Sequence, residues 1–207
     1  MTAVSPLVFV VDDDASVRKS LTRLLGSAGY VVEAFGSARE FLARAPHPGP
    51  CCLVLDVRMP GLTGLELQER LVAEGRRMSI VFLTGHVDVP KSVKAMKGGA
   101  VDLLTKPVDG KDLLAAVQRC VAKSAQDLSI AARVTEVQQR VKMLTSREME
   151  VFALVVTGML NKQIAAALGI GEKTVKVHRA RVMEKMRAGS VAELVRLADE
   201  VGVVVPK

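Results

Sequence analysis

Between Leu7 and Lys123, short unbroken apolar runs alternate with longer amphipathic stretches, and this alternation restricts the chain more than any other feature. Runs such as Leu7 to Val11 and Cys51 to Leu55 have no polar face to give to water. They read as strands covered on both sides, as in a parallel sheet. Val31 to Ala34, Ile80 to Leu83 and Val101 to Leu104 complete the set. Ala15 to Ala28, Ala38 to Ala45, Gly64 to Glu74, Val89 to Lys97 and Gly110 to Lys123 read as the intervening helices, with Asp14 as the first N-cap. Five βα units predict a doubly wound α/β sheet.

Such sheets place their sites outside the carboxyl ends of the strands. Polar residues end four of the runs: Asp12 and Asp13, Asp56, Thr84, and Lys106 with Pro107. Three carboxylates in one crevice repel one another unless a cation joins them, and an all-oxygen set without His or Cys favours Mg²⁺. Asp56 is the expected nucleophile, attacking phosphorus in line to give an aspartyl phosphate. Lys106 is expected to neutralise one phosphoryl oxygen and the Thr84 hydroxyl to donate to another, the two catalytic assignments of the pocket.

These residues, within Val10-Val11-Asp12-Asp13-Asp14, Leu55-Asp56-Val57-Arg58-Met59-Pro60-Gly61, Leu83-Thr84-Gly85-His86 and Lys106-Pro107, resemble the receiver domain of bacterial two-component response regulators. The resemblance implies a flavodoxin-like five-stranded fold. It implies Mg²⁺ held by Asp13, Asp56 and the Arg58 main-chain carbonyl, with Asp12 assisting, and a cis Lys106–Pro107 peptide. Gly85 to Pro90, with the residues on to Asp102, is most similar to the FixJ branch. Thr84 and position 103 form the switch of that family, but Leu103 stands where relatives carry a Phe or Tyr ring. His86 is read as a solvated loop residue, with tuning of phosphoryl lifetime as the alternative, and Arg58 sits where it can influence water access. A phosphatase of the haloacid dehalogenase type would carry a second acid two residues after its nucleophile, where this chain has Arg58.

From Lys123 to Leu144 glycine and proline vanish, and Ile130, Val134, Val137, Val141 and Leu144 recur at spacings of four and three. This predicts a long helix whose polar face includes Arg133, Glu136 and Arg140. A spacer packed on one domain is favoured over a dimerising seam. Leu144-Thr145-Ser146-Arg147-Glu148 then opens with a capping box. Four short helices follow, over Arg147 to Thr157, Lys162 to Leu168, Glu172 to Met186 and Val191 to Glu200, with a tight helix-turn-helix break at Gly169 to Gly171. Val175, Val182, Met183 and Met186 are expected inside.

Gly158-Met159-Leu160-Asn161-Lys162-Gln163-Ile164-Ala165 and Thr174-Val175-Lys176-Val177-His178 resemble the LuxR-type DNA-binding domain of the NarL and FixJ regulators. The resemblance implies that Lys176 and Val177 face bases in the major groove. Lys173, Thr174, His178 and Arg179 would mostly hold phosphates, with Arg181 also available to the groove; packing into the core is the other reading for His178. Two departures stand out. Ala180 occupies a position where some relatives place a basic base-reader, and Gly171 replaces the usual Ser or Thr cap.

Composition fits this assignment. The 207 residues suit two small domains, and a net charge of +7 hints at a polyanion. No apolar run reaches the roughly 18 residues of a membrane span, and Met1 to Phe9 has no basic segment, so a soluble cytoplasmic chain without a signal peptide is expected. Cys51, Cys52 and Cys120 match no zinc or redox spacing and read as buried apolar residues. The expected organisation is a receiver at 1–123, a helical linker at 124–143 and a LuxR-type helix-turn-helix domain at 144–207. The resemblance implies phosphorylation by a sensor histidine kinase, homodimerisation when phosphorylated, binding to a double-stranded DNA operator, contact with RNA polymerase and transcription activation. Beyond its own phosphoryl transfer and autodephosphorylation, no enzyme activity is expected. The competing reading is a DNA-binding regulator that works without phosphorylation, its receiver serving only as an interaction module.

Overall fold

The structure is a computed structural model describing residues 6–76, 78–85 and 89–203. It divides into two compact units, Met1–Leu128 and Ser129–Lys207.

The first unit is the expected parallel sheet. Strands β1 (Leu7–Val11), β2 (Val31–Phe35), β3 (Cys51–Asp56), β4 (Ile80–Thr84) and β5 (Asp102–Thr105) run in the order β2-β1-β3-β4-β5. Strands β1, β3 and β4 are buried along their whole length, as continuously apolar runs require, whereas β2 at one edge leaves Val31 and Ala34 exposed. Side-chain alternation divides the core in two. Phe9, Val11, Leu53, Leu55 and Phe82 pack on one face, and Val8, Val10, Val54, Val81 and Leu83 on the other. Helices α1 (Ala15–Ser27), α2 (Ala38–Leu42), α3 (Gly64–Ala73), α4 (Val89–Lys97) and α5 (Gly110–Lys142) complete the βα alternation.

Asp14 caps α1 as expected, accepting from the amides of Ser16 and Val17 at 2.7 and 3.4 Å. Helix α2 stops earlier than the pattern suggests. Pro46 disfavours helical geometry at Ala45, and the Arg44 guanidinium instead turns to Glu33 and to the Ala45 carbonyl. Helix α5 is one unbroken helix of 33 residues. All three cysteines are free and buried, and burial raises the Cys51 and Cys52 thiols above their ordinary range. Among the described residues no helix is long and apolar enough to cross a membrane.

The second unit contains α6 (Ser146–Val155), α7 (Asn161–Leu168), α8 (Glu172–Met186) and α9 (Val191–Glu200). The capping box forms: Thr145 accepts from the Glu148 amide at 3.3 Å, and Glu148 accepts from the Thr145 amide at 2.8 Å. Gly169, at φ 65°, ends α7 in the left-handed conformation that makes the tight turn into α8. Val175, Val182 and Met186 are fully buried and Met183 packs beside them. Val137 is buried in this core with Val141 and Leu144 against it, whereas Ile130 remains exposed.

Candidate functional site

In the sheet order, β1 lies between β2 and β3, so the connections leaving β1 and β3 diverge to opposite faces and open a crevice at their carboxyl ends. Asp12 and Asp13 follow β1, and Asp56 is the last residue of β3. One carboxylate oxygen from each lies within 4.8 Å of the other two. Asp12 and Asp56 are buried at 1% and 7% exposure while Asp13 is exposed, so the cluster has one open side. This oxygen-only set fits a hard divalent cation.

Lys106 closes the other side. Its Nζ lies 2.6 Å from Asp12 Oδ2 and 3.3 Å from Asp56 Oδ2. Its amide donates to the Thr84 carbonyl at 2.8 Å, which ties the residue after β5 to the end of β4. The Lys106–Pro107 peptide is cis, as the resemblance implied, and Thr84 is buried. The Arg58 amide donates to Asp56 Oδ1 at 3.3 Å and the Asp14 amide to Asp12 Oδ1 at 3.0 Å.

Burial pushes the Asp56 carboxyl above its ordinary value; the Lys106 charge and the Arg58 amide oppose this, and the Asp12 charge adds to it. At Lys106 burial acts to lower the ammonium. The Asp12 hydrogen bond and the Asp56 and Asp12 charges together outweigh it and hold the group above its ordinary value. The pocket thus keeps a cation beside a carboxylate whose charge is partly destabilised.

Two supporting residues have no signal in the sequence. Arg18 Nη1 donates to the carbonyls of Asp12 at 2.7 Å and Asp13 at 2.9 Å, bracing the acidic loop from the first turn of α1. Gly64 lets α3 begin directly against Asp56: a Cβ there would lie 2.2 Å from the Asp56 carbonyl oxygen. Neither contact follows from local spacing, because each depends on how a helix meets a loop. Leu103 is half-buried against the core on the Phe9 face. His86 lies outside the described residues.

In the second unit, Lys173, Thr174, Lys176, Val177 and Arg181 are exposed on α8, Val177 at 50%, while Val175 between them is buried. The only cation–carboxylate contact among these is Lys176 to Glu172 at 3.9 Å, between two exposed groups and therefore weak. Arg179 is half-buried and donates to Asn161 Oδ1 at 2.9 Å. His178 is also half-buried, its Nδ1 enclosed without a hydrogen-bond partner, so one ring edge faces inward.

Comparison with known proteins joins the two sites. Residues 8–118 match the model of the response regulator receiver domain and residues 142–198 that of the bacterial regulatory proteins of the luxR family. Nodulation protein W of Bradyrhizobium diazoefficiens is 47% identical over 95% of this chain and 87% of its own length. The transcriptional regulatory protein FixJ of Azorhizobium caulinodans is 46% identical over 95% of this chain and 93% of its own. The chain belongs to the FixJ/NarL family of response regulators. As a FixJ/NarL regulator it joins a receiver to a LuxR-type DNA-binding domain and has a kinase and DNA as partners. It is a transcriptional response regulator rather than an enzyme in the usual sense. The structure of the response regulator StyR matches with a TM-score of 0.82 at 45% identity, over 95% of this chain and all of that one.

Proposed function

We propose that this regulator is phosphorylated on Asp56 by a sensor histidine kinase in the cytoplasm, and that phosphorylation promotes dimerisation and DNA binding. The observation that carries the reading is the placement of Lys106 Nζ between Asp12 and Asp56, with the three carboxylates converging beside it.

One Asp56 oxygen attacks phosphorus, the phosphorus–nitrogen bond of the phosphohistidine breaks, and its electron pair leaves with the kinase imidazole. Asp12, Asp13, Asp56 and the Arg58 carbonyl would hold Mg²⁺, which supplies charge neutralisation for the transferring group. Lys106 leaves its carboxylate partners to meet a phosphoryl oxygen, and the Thr84 hydroxyl meets another. Leu103 offers no ring to follow Thr84 inward, so the Thr84 and Lys106 contacts carry the switch in this chain. Exposed Val89, Val93 and Met96 give α4 an apolar surface suited to a second copy once Asp56 is phosphorylated.

A dimer would set two α8 helices on half-sites about 34 Å apart. Lys176 and Val177 would read bases; Lys173, Thr174, His178, Arg179 and Arg181 would set register on phosphates. Transcription activation through RNA polymerase completes this reading, with the receiver at 1–123, the helical linker at 124–143 and the DNA-binding domain at 144–207.

The test is labelling with acetyl phosphate and Mg²⁺, read by intact mass, oligomeric size and DNA binding in wild type and Asp56→Asn. One phosphoryl group on wild type alone, with dimerisation and tighter binding, is expected. Absence of label from both proteins with unchanged DNA binding would favour a receiver that acts only as an interaction module.

A further inference from the structure

The sequence places Arg140 on the polar face of α5, where a solvated charge is the ordinary outcome. The structure puts it elsewhere. Its side chain is 17% exposed, its Nη1 donates to the Met186 carbonyl at 3.1 Å, and its Nη2 donates to Glu136 Oε1 at 2.6 Å one turn back on the same helix. Its Nε is enclosed without a partner. An arginine held this way has exchanged much of its water for one carbonyl and one carboxylate.

That carbonyl ends the recognition helix. The terminus of α8 is unusual: Arg187, a non-glycine residue, caps it in the left-handed conformation at φ 52°, a geometry that neighbouring contacts must sustain. The amides of Arg187 and Ala188 satisfy the carbonyls of Glu184 and Met183. Arg140 takes the Met186 carbonyl and places a cation at the negative end of the helix dipole. A second bond crosses in the opposite direction, from Lys185 Nζ to the Met143 carbonyl at 3.1 Å. Thus the last turn of α8 and the end of α5, with Met143 just beyond it, hold each other by side chain to carbonyl.

We propose that Arg140 is a positioning residue for DNA reading: it contacts no nucleotide, and it fixes the C-terminal end of α8 so that Lys176 and Val177 meet base edges in register. The proposal rests on α8 being the recognition helix. Arg140 lies two residues before the stretch that the luxR-family model matches. Lys176 is ten residues from Met186, about 15 Å along the axis, so a tilt of about 5° about the far end moves it by about 1 Å. Base readout by hydrogen bonds does not survive such a displacement, whereas phosphate attraction is tolerant of it. Loss of the clamp should therefore damage specific binding more than non-specific binding.

The experiment compares wild type, Arg140→Met and Arg140→Lys, each phosphorylated to the same extent with acetyl phosphate and Mg²⁺, on a duplex that the wild-type chain selects from a randomised library, and on a scrambled duplex of equal length. Affinity is followed against salt concentration, and thermal melting establishes that each variant is folded. Arg140→Met should weaken specific binding about tenfold, and non-specific binding by less than about twofold, with the salt slope unchanged. Arg140→Lys, which retains one donor for the Met186 carbonyl, should recover most of the loss. A salt slope shallower by about one would make Arg140 a phosphate contact and overturn the proposal. Equal losses on both duplexes that track the melting temperature would reduce it to a fold-stabilising residue. Failure of phosphorylated wild type to select any duplex would overturn the reading of α8 itself, and the role of Arg140 with it.

Discussion

The acidic pocket and the exposed face of α8 both concentrate charge, but they hold it in opposite ways. In the pocket the charges are largely enclosed and already answer one another: Lys106 touches two carboxylates, and main-chain amides support Asp12 and Asp56. On α8, Lys173, Lys176 and Arg181 stand in water on a helix anchored by its opposite side. The difference suits the proposed partners. A phosphoryl group is small enough for a pre-arranged cage, whereas a DNA backbone supplies a long array of charge that mobile cations can meet. Geometry in the pocket comes from backbone proximity, and geometry on α8 comes from the packing and ion pairs behind it.

The largest way to break that contrast is Gly64→Ala. The new Cβ would fall 2.2 Å from the Asp56 carbonyl oxygen and 3.2 Å from Leu55 Cγ, and because the nearer atom is backbone, a side-chain rotation cannot relieve it. Destabilisation of the receiver by about 3 kcal/mol is expected from chemical unfolding, together with slower phosphoryl incorporation as Asp56 shifts. Unfolding of the second unit should keep its wild-type midpoint. Retained receiver stability and labelling would show that backbone proximity does not fix this pocket.

Why some of this was legible and some was not has a physical basis. Continuous apolar runs ending in Asp12, Asp56 and Thr84 announce both the buried strands and the edge to which they deliver their side chains, because strand direction and burial are local consequences of the pattern. The capping box at Thr145 and Glu148 is equally local. Arg18, Gly64 and Arg140 act through carbonyls brought near by the tertiary fold, and residue spacing carries no record of those approaches. Helix α2 shows the same limit on a smaller scale, its last turn yielding to Pro46 and the Arg44–Glu33 pair.

The ion pair behind α8 provides the next test. Glu148 is 2% exposed and accepts from Lys185 Nζ at 2.6 Å while capping α6. The Lys185 hydrogen bond, then the Thr145 amide, lower the Glu148 carboxyl to about 2. A depressed carboxylate stabilises the fold above its unfolded value near 4.5, and that contribution disappears as pH falls from there towards about 2. Glu148→Gln retains an acceptor for the Thr145 amide and loses the charge. It should cost the second unit about 2 kcal/mol at neutral pH and flatten stability between about pH 4.5 and 2. Thermal melting across that range checks it, and an unchanged slope would remove the ion pair from the support of α8.

Gly171→Ser is the smallest change and acts on α8 alone. Gly171 holds φ −70° and ψ 145° at the N-cap of α8, a geometry open to any residue, and makes no side-chain hydrogen bond there. An added Cβ meets nothing closer than Thr174 Oγ1 at 3.8 Å, so a serine fits without movement. Its hydroxyl would accept one of the unpaired amides in the first turn, and a gain of a few tenths, about 0.3 kcal/mol, is expected in thermal unfolding of the second unit. Phosphoryl incorporation at Asp56 should not change. Because α8 already carries Lys173 and Lys176 exposed near this end, a firmer first turn should also hold them more steadily toward DNA, giving tighter binding at an unchanged salt slope. Weaker binding with equal or greater stability would mean that the bare glycine leaves space for a phosphate, and the missing cap would then belong to recognition rather than to folding.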